Sequence, residues 1–299
     1  MQLQGCITAL ATPFTDGHAL DFSAWRMLLD AQLRGGVQGV VVAGSTGEAQ
    51  MLSDEEFVAL IRAAVQHIGG KIPVLAGAGL SATDKTIRQC KLAAEAGVDA
   101  VLVVVPPYVR PTQEGLRRHY EAVADASPVP VVLYNVPSRT SCDMKPETVA
   151  ALAPHPNIIG LKETVFDRAR IDALVKLRSA DFALCWGDDP TALQVLLDGA
   201  DAVISVASNV VPAAFRALCD AGLARDEKTG RALDAELSSM WSALSLEPNP
   251  VPLKAMLAEF GIGADVLRLP LVPLSSPNRA ALSAAASVAK SVEARFVKA

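Results

Sequence analysis

The sequence predicts an α/β fold, a parallel (β/α)8 barrel followed by a small helical domain. Three observations predict it. Short apolar runs alternate with amphipathic stretches, eight such units follow one another, and the strand pattern stops after Gly222. A short apolar run between turn signals reads as a strand buried on both faces, the kind that helical crossovers cover. Eight units over about 220 residues suit a closed barrel better than an open doubly wound sheet. An open sheet would also favour a Gly-rich phosphate fingerprint after its first strand, and Ala11-Thr12-Pro13-Phe14 is not one.

The strands are expected at 6–11, 39–43, 73–76, 100–105, 129–134, 158–162, 182–186 and 202–206. Helices are expected between them. The stretch 22–34 follows Asp21, a natural N-cap. The stretch 54–67 follows Ser53, with Glu56 placed to complete a capping box. The stretch 83–96 stops before Gly97, a residue suited to the left-handed turn that ends a helix. Further helices read at 112–124, 145–152, 168–177, 190–198 and 211–221. The tail reads as helices at 226–244, 251–260 and 279–296, interrupted by Pro248, Pro250, Pro270, Pro273 and Pro277. This divides the chain into a barrel, 1–223, and a helical domain, 224–299. The tail is expected to serve interaction or oligomerisation rather than catalysis.

Composition excludes several classes. The net charge of −5 comes from mixed signs without a long basic or acidic block, which argues against nucleic acid or an anionic membrane as the main partner. No run approaches the ~20 apolar residues of a membrane span, and no leader is read at the N-terminus. Cys6, Cys90, Cys142, Cys185 and Cys219 are odd in number and form no CxxC pair; free thiols in a reducing cytoplasm are the simplest reading. His18, His67, His119 and His155 show no ligand spacing, so a histidine-built metal site has no support.

In such a barrel the chemistry belongs to the carboxyl ends of the strands. Lys162 closes the run Asn157-Ile158-Ile159-Gly160-Leu161. Low dielectric disfavours an ammonium ion, and a neutral amine is what Schiff-base chemistry requires. Gly44-Ser45-Thr46-Gly47-Glu48 follows the second strand and offers backbone N–H groups and two hydroxyls to a carboxylate. Pro106-Pro107-Tyr108 follows the fourth and presents a phenol. Tyr134 ends the fifth at the depth of Lys162, where it can relay a proton, and Arg139 in the loop above can clamp a carboxylate. Gly187-Asp188-Asp189 follows the seventh; Asp188 or Asp189 before Pro190 reads more simply as a helix N-cap than the pair does as a metal site. Ile204 is expected to line the pocket near the lysine. An amine, a phenol, a carboxylate nest and an arginine clamp suit carbon–carbon bond chemistry through a 2-oxoacid imine.

Gly44-Ser45-Thr46-Gly47-Glu48, Tyr134-Asn135-Val136-Pro137-Ser138-Arg139-Thr140 and Gly160-Leu161-Lys162-Glu163 resemble the pyruvate-dependent class I aldolase superfamily. Its members include the dihydrodipicolinate synthases and the N-acetylneuraminate lyases, and the resemblance runs through essentially the whole chain. It implies Lys162 as the imine lysine. It implies Tyr134, Thr46 and Tyr108 as a proton relay, with Tyr108 contributed across a dimer interface. Ser45 and Thr46 would hold the pyruvate carboxylate, Arg139 the carboxylate of the aldehyde, and Gly187 and Ile204 would line the pocket. Synthases commonly carry Thr-Thr where this chain has Ser45-Thr46, a form usual in the lyases; Ser138-Arg139-Thr140 resembles the synthases. The implied reaction joins pyruvate to L-aspartate 4-semialdehyde in lysine and diaminopimelate biosynthesis. It needs no cofactor or metal, in a cytoplasmic homo-oligomer, a dimer or a dimer of dimers such as a homotetramer. The rival readings are another pyruvate aldolase of the superfamily, acting on a sugar-derived 2-oxoacid, and a non-catalytic pyruvate-binding barrel.

Overall fold

A computed structural model describes residues 1–297. The last two residues of the expected helical domain lie outside the described residues. The strands are β1 (Gly5–Ala9), β2 (Gly39–Val42), β3 (Val74–Ala78), β4 (Ala100–Val104), β5 (Val131–Tyr134), β6 (Ile158–Glu163), β7 (Ala183–Trp186) and β8 (Ala202–Ser205). All are parallel and pair in chain order, and β1 pairs with both β2 and β8, so the barrel closes. Side chains alternate along each strand. One set fills the barrel interior, including Ile7, Val41, Leu75, Val132, Tyr134, Cys185 and Ile204. The other set, including Val40, Val101, Leu133, Leu161 and Val203, packs against the surrounding helices.

The helices begin where the sequence supplies an acceptor for free N–H groups. Asp21 accepts from Ser23 and Ala24, Thr112 accepts from Gly115, and Ser53 with Glu56 forms the expected capping box. Two details differ from expectation. A short helix, Pro137–Thr140, occupies the segment after β5 that reads as a loop. The last helix starts at Ser276, with Pro277 inside its first turn rather than breaking it. A proline there gives up an N–H that has no partner in the helix anyway.

The tail helices are Glu227–Leu244, Val251–Glu259 and Ser276–Glu293. They are bound to the barrel by buried charge. The Glu293 carboxylate accepts the N–H groups of Ala213 and Ala214, at 2.9 Å each, and so caps the helix Pro212–Leu223. At a second point, Lys254 donates to Glu48 at 2.6 Å, with the two side chains 2% and 0% exposed. The backbone N–H of Arg268 donates to the second Glu48 oxygen at 3.0 Å. The Arg268 guanidinium binds Glu56 and the carbonyls of His18 and Met51. The Phe14 ring receives both cations, with Lys254 Nζ at 4.1 Å and Arg268 Cζ at 4.3 Å from its centroid. Burial pulls the Lys254 ammonium below its ordinary pKa, and the Glu48 carboxylate opposes that pull.

Removing one partner of a buried pair strands the other charge. Lys254→Met should therefore cost about 3–5 kcal/mol in urea unfolding. Adding Glu48→Gln to that variant should restore a large part of it. A loss of under about 1 kcal/mol in the single variant would show that the pair does not pin the tail.

Candidate active site

The carboxyl ends of the strands open on a cavity of about 240 Å³ lined by Ser45, Thr46, Tyr134, Arg139, Lys162 and Gly187, among others. A neighbouring chamber of about 290 Å³ shares Ser45, Tyr134, Arg139 and Asn249 with it and extends between the loops after β2, β3 and β4.

Parallel pairing of β5 with β6 places Tyr134 directly opposite Lys162. Both side chains point inward, and Lys162 Nζ lies 4.5 Å from the centre of the Tyr134 ring. Lys162 is 4% exposed and forms no ion pair among the described residues. It differs in this from Lys254, the other buried lysine, which is neutralised by Glu48. Gly187 lies under the lysine chain. A Cβ at that position would stand 2.4 Å from Lys162 Cε, so only glycine leaves room.

The pair is held from behind. Glu163, on the opposite side of β6 from Lys162, is fully buried. Its carboxylate accepts from the N–H groups of Thr164 and Val165, from Asn135 Nδ2 at 3.1 Å and from Arg170 at 2.9 Å. Arg170 also binds both oxygens of Asp143. This network ties the end of β5 to the end of β6 and so fixes Tyr134 against Lys162. Glu163 belongs to a quoted motif, but its structural role was not anticipated. The signal was a carboxylate inside an apolar strand with an arginine one helix away.

The Gly44–Met51 segment crosses the mouth tightly. A Cβ on Gly77 of β3 would stand 2.4 Å from the Ala43 carbonyl oxygen, so this glycine lets the loop settle on the strand. The two hydroxyls of the loop are not equivalent. Thr46 is 3% exposed, and its Oγ1 accepts a hydrogen bond from Asn249 Nδ2 at 3.0 Å. Ser45 is exposed and borders both chambers beside Tyr134. Arg139, on the short helix Pro137–Thr140, reaches the rim, where it donates to the Asn249 carbonyl at 2.9 Å.

Ile204 and the tail depart from expectation. Ile204 does not line the cavity: it is fully buried in the barrel interior, and Val206, two residues nearer the rim on the same face, lines it instead. Tyr108, which the resemblance assigns to a dimer interface, borders neither chamber within one chain. It is 91% exposed, on a backbone with φ of 72°. The tail, expected to serve interaction or oligomerisation, also borders the site, since Pro248, Asn249, Pro250 and Leu271 wall the chamber of about 290 Å³. Asp188 takes the N-cap position of the short 3-10 turn Asp189–Thr191, and Asp189 caps no helix. Its carboxylate instead accepts the N–H groups of Val206 and Ala207, at 3.0 and 2.7 Å, and anchors the loop after β8. No cluster of three metal-binding side chains occurs among the described residues.

Fold and site together define a (β/α)8-barrel protein with a strand-end amine facing a phenol and an arginine. The chain belongs to the dihydrodipicolinate synthetase family, whose model matches residues 2–289. It is 56% identical over 281 residues to the 4-hydroxy-tetrahydrodipicolinate synthase of Stenotrophomonas maltophilia, covering 94% of each chain. It is 54% identical to that of Xanthomonas campestris, covering 98% of this chain and 97% of the relative. Among solved structures it resembles the dihydrodipicolinate synthase of Acinetobacter baumannii complexed with pyruvate. The TM-score is 0.94 at 37% identity, over 97% of this chain and 99% of the other. The synthase of Methylacidiphilum fumariolicum matches with a TM-score of 0.93 at 38% identity, over 99% and 98%.

Asp189 gives the site a pH signature. Burial pushes its carboxyl from the ordinary 3.8 up to about 6, against the pull of the N–H groups it accepts. The folded state then holds the proton more tightly than the unfolded chain. That contribution is complete below about pH 4 and is lost as pH rises through about 6. Wild-type stability should therefore fall by roughly 2–3 kcal/mol more than that of Asp189→Asn between those limits. Parallel stability profiles for the two proteins would refute it.

Proposed function

We propose that this protein joins pyruvate to L-aspartate 4-semialdehyde, giving 4-hydroxy-tetrahydrodipicolinate in lysine and diaminopimelate biosynthesis. It is a lyase of the Schiff-base class. The observation that carries this reading is Lys162, a buried amine without an ion pair, packed beside Tyr134 in a cavity that also holds hydroxyls and Arg139.

The steps follow from the geometry and from the atoms that must move. Lys162 Nζ adds to the pyruvate carbonyl carbon and water leaves, forming the imine. Loss of a methyl proton gives the enamine, which attacks the aldehyde carbon. The substrate's own amino group then adds to the imine carbon, expels Lys162 and closes the six-membered ring. Tyr134 moves protons at the carbonyl oxygen and the methyl carbon. Thr46, held by Asn249, binds the pyruvate carboxylate. Ser45 is open to both chambers and is the better placed hydroxyl to pass protons onward, so it takes the relay role expected of Thr46. Arg139 clamps the carboxylate of the aldehyde.

A homo-oligomer is part of the proposal. Tyr108 is exposed in one chain and borders neither chamber, so a second copy is what would bring its phenol into the relay. A cytoplasmic setting is supported by five buried free cysteines. No helix among the described residues is long and apolar enough to cross a membrane. The division at residue 223 separates barrel from tail in the chain, although both wall the site.

Pyruvate followed by borohydride should add one reduced pyruvyl group, located by peptide mass spectrometry on Lys162. Labelling elsewhere, or undiminished labelling of Lys162→Ala, would overturn the nucleophile. A non-catalytic pyruvate-binding barrel would give no covalent adduct. Arg139→Ala should raise the KM for the semialdehyde by about 10- to 100-fold while changing the KM for pyruvate by less than about threefold, as expected when a charged hydrogen bond to one substrate is lost. Equal rises for both substrates would remove the clamp role.

A further inference from the structure

We propose that Asn249, contributed by the tail, is the residue that reads the amino group of the aldehyde substrate. This rests on the reaction proposed above and names the group that distinguishes its second substrate from an aldehyde without an amine.

Asn249 stands at the junction of the two chambers and borders both. Three of its polar groups face three different tasks. Nδ2 donates to Thr46 Oγ1 at 3.0 Å. That leaves the Thr46 hydroxyl hydrogen free to point at a carboxylate. The backbone carbonyl accepts from Arg139 at 2.9 Å and so sets the guanidinium at the rim. Oδ1 is buried and has no hydrogen-bond partner. A buried carbonyl oxygen left unpaired costs free energy unless a ligand satisfies it. Pro248 and Pro250 flank the residue, and their rings fix the φ angles on either side of it.

The chemistry of the second substrate matches these groups. L-Aspartate 4-semialdehyde carries a carboxylate and an ammonium group on one carbon. A carboxylate held by Arg139 brings the ammonium group beside the residue to which Arg139 is bonded. An amide oxygen accepts from an ammonium group and binds nothing on a plain methylene. The same contact would hold the nitrogen that later replaces Lys162 at the imine carbon. A site built to bond a substrate N–H discriminates strongly against the analogue that lacks it, because its own acceptor is then left unpaired.

The test compares L-aspartate 4-semialdehyde with succinic semialdehyde, which has the same carbon skeleton without the amine. Consumption of saturating pyruvate is followed for wild type, Asn249→Ala and Asn249→Asp. Wild type should favour the amino aldehyde in kcat/KM. Asn249→Ala should shrink that preference by about tenfold or more, because the amide acceptor is gone. Asn249→Asp retains an acceptor oxygen and should keep or increase the preference, while its loss of the amide donor to Thr46 raises the pyruvate KM. Borohydride trapping of pyruvate on Lys162 reports that each variant keeps an assembled site. If Asn249→Ala loses activity on both aldehydes in equal proportion, the residue is structural and the proposal fails. A wild-type preference near one also overturns it. Should wild type condense neither aldehyde, the reaction itself is misassigned and this proposal falls with it; an unchanged ratio in active variants overturns the amine reading alone.

Discussion

Closure of the parallel sheet is the constraint on which the rest of the molecule depends. Once β1 pairs with both β2 and β8, no strand edge remains, and every strand points the same way. Eight carboxyl ends then meet at one rim. Residues far apart in the chain, such as Thr46, Tyr134, Lys162 and Gly187, converge without any local sequence signal that joins them. The same closure fixes register. A slip of one residue between β5 and β6 would turn Lys162 out of the barrel and bring Glu163 into it. Both faces of β6 are committed, one to the cavity and one to the arginine network, so neither can move alone.

Buried charge does the remaining positioning at two places. Behind β6, the Glu163 carboxylate collects donors from two backbone N–H groups, Asn135 and Arg170. Under the Gly44–Met51 segment, Glu48 collects Lys254 and the N–H of Arg268. A buried ion pair is a poor source of net stability, since its attraction must first offset the desolvation of both ions. It is a demanding source of geometry, because a displaced partner leaves a charge unpaired in low dielectric. Both networks adjoin the cavity that holds Lys162 and Tyr134, where fixed position matters most. Lys162 is left out of them, and its amine is therefore not committed to a carboxylate.

The barrel was legible because its signals are local. Each strand is a short apolar run, and Asp21, Ser53 with Glu56, and Thr112 cap the helices they precede. The lining of the cavity is legible for a related reason: a (β/α)8 barrel gathers strand ends at one rim, so Lys162, Tyr134, Arg139 and Gly187 are reached by reading those positions in turn. Ile204 was misplaced by depth. Strand alternation gives the face a side chain occupies but not the layer, and Val206 has the same parity. Of the two aspartates Asp188 takes the N-cap position, while the bonds of Asp189 to the β8 loop are not visible in the sequence around it.

The tail was the hardest part to read, for a reason that lies in the contacts themselves. The hydrogen bond from Asn249 to Thr46 spans 203 residues, and that from the Arg268 N–H to Glu48 spans 220. Nothing near Asn249 in the chain marks it as part of a site; Pro248-Asn249-Pro250 reads only as a helix interruption. The barrel rim supplies one face of the cavity and leaves the opposite side to whatever packs over it. The tail packs there, and buried Lys254 and Glu293 fasten it at separate points. The active site is thus a seam between two parts of the chain. Lys162, Tyr134, Thr46 and Arg139 come from the barrel, and the groups bonded to Thr46 and Arg139 come from outside it. The tail thus supplies the wall against which both Thr46 and Arg139 are set.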